Sequence, residues 1–62
     1  MTGPDLRAKR QRAGVTIHQV ARLLGVSPNT VTDAELVRIR VEQSDLEAMS
    51  AAIDKIVRER DG

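Results

Sequence analysis

The sequence predicts an all-α domain: a compact bundle of four to five helices, with one short segment at 37–41 that departs from helix. Three observations carry this. Apolar residues recur at three- and four-residue spacings along most of the chain, as on the buried face of a helix. Start and stop signals alternate, with Ser or Thr and then Gln or Glu three residues on, and glycine after an apolar stripe. Strict apolar/polar alternation, the mark of a strand, occurs over Val37-Arg38-Ile39-Arg40-Val41.

Composition narrows the class. The 62 residues suffice for one domain, 1–62, and a chain this short buries only roughly 60% of its unfolded surface. Without cysteine there is neither a disulfide framework nor a thiolate metal site. Without Phe, Tyr or Trp the core must come from Leu, Ile, Val, Met and Ala, and stacking on single-stranded bases is excluded. No apolar run approaches the roughly 18 residues of a membrane span, and no signal-peptide core precedes the fold. No membrane partner is expected, and the setting read from this is the cytoplasm. Net charge is +1, so the distribution of charge says more than its sum.

Met1–Gly3 reads as a loose end. Pro4 and Asp5 suit a first turn, Pro for its fixed dihedral and Asp for the dipole, so a first helix is expected over 4–13, ending at Gly14. Leu6 and Ala13, with the stems of Lys9 or Arg10, face inward. Arg7, Lys9, Arg10 and Arg12 make a basic run that is either a solvated face or a phosphate contact.

The second helix is expected over 17–24. Thr16 and Gln19 have capping-box spacing, and Val15 and Val20 can close as a hydrophobic staple. Ile17, Val20, Ala21 and Leu24 form the inward stripe, and Gly25 stops the helix. His18 has no second His, Cys or paired carboxylate near it. It reads as an exposed first-turn residue, with a phosphate contact as its functional alternative, and no metal is expected.

The third helix is expected over 28–35, capped by Ser27, with Pro28 in the first position and a second staple from Val26 and Val31. Helix, glycine turn and helix together make the helix-turn-helix pattern, in which this element enters the major groove of DNA. Val31 and Ala34 face inward; Ser27, Asn29, Thr30 and Asp33 face outward. Asn pairs bidentately with adenine, Thr meets a thymine methyl and Asp accepts from cytosine. The plainer alternative is that these are capping and surface residues. Asp33 repels phosphates unless it reads cytosine or pairs with a neighbouring Arg.

Residues 37–41 are open between an extended connector with Val37, Ile39 and Val41 tucked inward, a strand paired with a second chain, and a small wing. Ser44 and Glu47 repeat the capping box, and a fourth helix is expected over 45–60. Leu46, Met49, Ile53, Ile56 and Val57 make its stripe, and Asp54–Arg58 and Lys55–Glu59 are four-residue pairs on its wet side. Its far end either covers the first helix or meets a partner chain.

The stretch LRAKRQRAGVTIHQVARLLGVSPNTVTDAE resembles the DNA-binding domain of the phage repressor and Cro family, also called the XRE family. The matching residues are Leu6 and Arg10, Gly14-Val15-Thr16, Val20-Ala21, Leu24-Gly25-Val26-Ser27, Val31 and Glu35. VTIHQVARLLGVSPNTV is also similar to the start of LacI-type regulators, and ELVRIRVEQSDLEAM to excisionase and MerR-like winged domains. The first resemblance implies an internal ion pair between Arg10 and Glu35. It implies base contacts from Pro28, Asn29, Thr30 and Asp33. Phosphate contacts would come from Thr16, His18, Gln19, Ser27, Arg38 and Arg40, with Arg12 from the basic run. Three positions depart from the family pattern. Ile17 stands where Gln is common and Asp33 where polar or basic residues are. Val37 stands where Gly is usual, which predicts a different turn after the third helix.

Two function classes follow. One is a sequence-specific regulator of double-stranded DNA, a Cro-like repressor working as a homodimer through the fourth helix or segment 37–41. The other is a protein-interaction module, antirepressor or antitoxin-like, on the same scaffold; an excisionase or MerR-like winged DNA-binding protein is the runner-up within the first class. No paired acid and base, nucleophile triad, phosphate loop or metal spacing appears, so neither an enzyme, a cofactor nor a small-molecule ligand is expected.

Overall fold

Side chains that satisfy orphan backbone N–H groups set the helix starts. The computed structural model describes residues 1–61, which form α1 (Gly3–Ala13), α2 (Ile17–Leu24), α3 (Pro28–Glu35) and α4 (Gln43–Asp61). No strand occurs among the described residues.

The start of the chain is not loose. Thr2 caps α1: its hydroxyl accepts the Asp5 N–H at 3.2 Å, and the Asp5 carboxylate accepts the Thr2 N–H at 3.1 Å. The bond from the Thr2 backbone, then that with its side chain, holds the Asp5 carboxyl below its ordinary value. Gly3 is buried inside the first turn, which therefore begins a residue before the expected Pro4. At α2, Thr16 and Gln19 make the full reciprocal box at 3.1 and 2.8 Å. Gly14 and Gly25 end α1 and α2 at φ 68° and 70°, where a side chain would be strained.

α4 starts ahead of the expected Ser44–Glu47 box. Asp45, not Glu47, supplies the returning carboxylate, accepting the Glu42 N–H at 3.3 Å, and Ser44 lies within the first turn. The Gln43 amide is held in place by donating to the Met1 carbonyl at 2.8 Å. Farther along, Asp54 is drawn away from Arg58 by Lys9, whose ammonium lies 3.0 Å from its carboxylate and donates to Ser50 Oγ at 2.7 Å. Lys55 and Glu59 do approach, at 3.9 Å on the surface, a contact of little energetic weight. Arg60 donates to the Ala13 carbonyl at 2.9 Å, and Ile56 and Val57 pack on the core. The far end of α4 therefore covers α1.

Leu6, Val20, Val31 and Ile53, one from each helix, are the largest fully buried side chains. The apolar residues of 37–41 behave differently. Val41 packs on the core, but Val37 is 66% and Ile39 40% exposed. The alternation does not translate into alternate burial because a turn breaks its start. The Val37 N–H reaches the Ala34 carbonyl at 3.3 Å and the Arg38 N–H reaches that of Asp33 at 2.8 Å. Those two bonds form a Schellman motif, which needs a left-handed residue, and Val37 supplies it at φ 57°. The turn expected to differ is instead the glycine turn made by a β-branched residue, at a cost of about 1–2 kcal/mol.

Two substitutions test these backbone readings. Val37→Gly is expected to raise stability by about 1 kcal/mol, the relief of strain exceeding the entropy glycine adds to the unfolded chain. Gly3→Ala, which favours an isolated helix, is expected here to destabilise by about 1–3 kcal/mol. Its Cβ would collide with the Ala34 carbonyl oxygen and lie 2.9 Å from that of Glu35. Urea unfolding followed by circular dichroism reads both signs.

Candidate nucleic-acid interface

α2, the turn at 25–27 and α3 form a helix-turn-helix whose inner seam is Val20, Ala21, Val31 and Ala34, all buried. The buried Ala21 brings little bulk to this seam. Ser27 Oγ accepts the Asn29 N–H at 3.3 Å, and Pro28 occupies the position where a missing N–H costs nothing.

One polar cluster braces α3 from behind. Arg10 Nε donates to Glu35 Oε2 at 2.7 Å and its terminal nitrogens donate to Glu35 Oε1 at 3.0 Å and the Val15 carbonyl at 2.9 Å. The Glu35 side chain is 3% exposed and that of Arg10 13%. The fork geometry satisfies both carboxylate oxygens, so burial leaves no stranded charge. It joins α1, the approach to α2 and the end of α3 at one point.

The residues singled out in the sequence fall into three places. Asn29 and Asp33 lie on the outward side of α3, opposite Val31, Ala34 and Glu35. The Asp33 carboxylate is 3.9 Å from the Arg38 guanidinium, so its charge is partly countered at the surface. Thr30 is not with them. Like Thr32 and Asp33 it is half-buried, but it lines a cleft with Ile39, Arg40 and Asp45, because one residue turns the helix by about 100°. The second group edges the start of α2: Thr16, His18 and Gln19 are exposed, while His18 shares a depression with Arg22 and Pro28. Ser27 is exposed and spends its hydroxyl on the cap. Arg38 and Arg40 are exposed on the connector. The third place is the far end of α1, where Arg12 is exposed.

Helical spacing from Asn29 also brings Thr32 and Leu36 toward the outward side, and Arg22 stands one turn after His18. None of the three was singled out in the sequence. Thr32, three residues after Asn29, shares its side by helical spacing, whereas the sequence expectation names Thr30.

A family of helix-turn-helix domains matches residues 3–54, which take in α1, α2, α3 and most of α4. The chain belongs to the helix-turn-helix domain family. Neither a curated protein nor a solved structure matches it. Membership of a helix-turn-helix family suggests double-stranded DNA as the partner class. Families of this kind are typically non-enzymatic. Among the described residues no helix is long and apolar enough to cross a membrane.

Removing one side of the brace should be costly. Glu35→Gln is expected to destabilise by about 3–5 kcal/mol, comparable with the whole stability of a domain this small. Replacing both partners, as Arg10→Met with Glu35→Leu, is expected to recover most of that loss. Thermal unfolding of Arg10→Met, Glu35→Leu and the double would show it; additive losses would mean that the pair is not coupled.

Proposed function

We propose that this helix-turn-helix protein is a sequence-specific transcriptional regulator of the repressor/Cro (XRE) type, acting as a dimer with α3 in the major groove. The outward side of α3 carries the reading. Asn29 and Asp33 are polar and lie one turn apart, the first exposed and the second half-buried, while Glu35 on the opposite side is clamped by Arg10. A rigid helix with short polar side chains facing away from its support suits a groove. Thr16, His18 and Gln19 at the start of α2, with Arg38 and Arg40 on the connector, are exposed polar or basic groups suited to the flanking phosphates.

For the dimer contact we favour segment 37–41 over α4. The α4 stripe is used within the chain down to Val57, whereas Val37 and Ile39 remain exposed. Two recognition helices would then enter major grooves about 34 Å apart. The same exposed apolar side chains favour one other reading, a module that binds a different protein through the connector.

The test is titration into duplexes selected from a random pool and into unselected duplex, at two salt concentrations. Tighter binding to the selected duplex, with two chains per site, is expected. Asn29→Ala should lose about 1–3 kcal/mol on the selected site alone. Arg38→Ala should weaken all duplexes alike and lower the salt slope by about one. Weak binding that is equal on every duplex would instead favour the protein-binding module.

A further inference from the structure

The residue between Asn29 and Asp33 on the outward turn of α3 is Thr32, and its chemistry is narrowed by one bond. Its hydroxyl donates to the Pro28 carbonyl at 3.2 Å, the i−4 back-bond open to threonine in a helix. A hydroxyl has one proton to give, and here it is given to the backbone. What Thr32 retains for a ligand is a methyl group and an acceptor lone pair. It therefore does not act as a hydrogen-bond donor to base edges.

We infer that Thr32 is a specificity-determining residue that recognises a thymine methyl in the major groove; this rests on the DNA-binding reading proposed above. Its neighbours fit the assignment. Asn29, three residues earlier and exposed, has both an amide donor and an acceptor, as adenine requires. Three residues of helix advance roughly 4.5 Å, comparable to one base-pair step. An amide and a methyl at that spacing match what A·T pairs display in the major groove: adenine N7 and N6 on one base, the C5 methyl on the other. Asp33 beside them accepts only, and the nearby Arg38 guanidinium offsets its charge. Thr30, the other threonine of this helix with a methyl to offer, is turned into the cleft beside Ile39 and Asp45.

The experiment compares single thymines with deoxyuridine in the selected duplex, since the exchange deletes only the C5 methyl. Thr32→Ser keeps the hydroxyl and its back-bond and deletes only the protein's methyl. Thr32→Val keeps methyl groups and deletes the hydroxyl. At one thymine, deoxyuridine is expected to weaken the native protein and Thr32→Val about fourfold, the worth of one buried carbon. Thr32→Ser should bind the thymine site about fourfold more weakly and be indifferent to the exchange. An equal deoxyuridine penalty for Thr32→Ser and the native protein at every position overturns the inference. So does loss of that penalty in Thr30→Ser, which would pass the role to Thr30. If no duplex is enriched from the pool, the DNA-binding reading itself fails and the assignment falls with it, an outcome distinct from an enriched site that ignores Thr32.

Discussion

Everything on the outward side of α3 depends on the bond behind it, from Arg10 to Glu35. A domain without cysteines or aromatic side chains has few means of fixing one helix against another at a defined angle. Aliphatic packing of Leu6, Val20, Val31 and Ile53 supplies cohesion without direction. The guanidinium fork supplies direction, because two parallel bonds to one carboxylate and a third to the Val15 carbonyl admit little rotation. Fixing α3 to α1 in this way positions its polar side chains relative to the start of α2, which sits just after Val15.

The cations divide along the same line. In α1, Lys9 and Arg10 are drawn into the fold, one by Asp54 and Ser50 and the other by Glu35. Arg60 caps the carbonyl end of the same helix. These groups hold the scaffold, so the basic run in α1 contributes less free positive charge than its composition suggests. Arg38 and Arg40, with Arg22 on α2, remain outside. A near-neutral protein can thus have a locally basic rim around a helix that itself carries Asp33.

Helix type and approximate extent were legible because local chemistry sets them. The Thr16–Gln19 box, the glycines at 14 and 25 and the proline at 28 work within one turn of chain. Arg10 and Glu35, 25 residues apart, could be paired only through the family resemblance, since no local rule connects them. What failed was tertiary or competitive. Gly3 looked like a loose end because its tight contact is with the distant carbonyls of Ala34 and Glu35. Asp54 was matched with its neighbour in sequence, but Lys9, from another helix, lies closer. Ser44 had the right spacing for a cap and lost to an earlier start at Gln43. The alternation at 37–41 was real but the Schellman turn, and not a sheet, determined its geometry. At the site, Asn29 and Asp33 fell on the outward side, whereas Thr30 lay a quarter-turn away.

The left-handed valine after α3 has a consequence beyond the turn. A fold that keeps Val37 where glycine would sit more easily holds free energy in reserve, recoverable by a single substitution at an exposed position. Changes on the outward side of α3 that alter preference while weakening the helix could be offset there. The strained residue thus gives the domain latitude to diverge, letting the outward side chains of α3 change over generations while the architecture behind them stays intact.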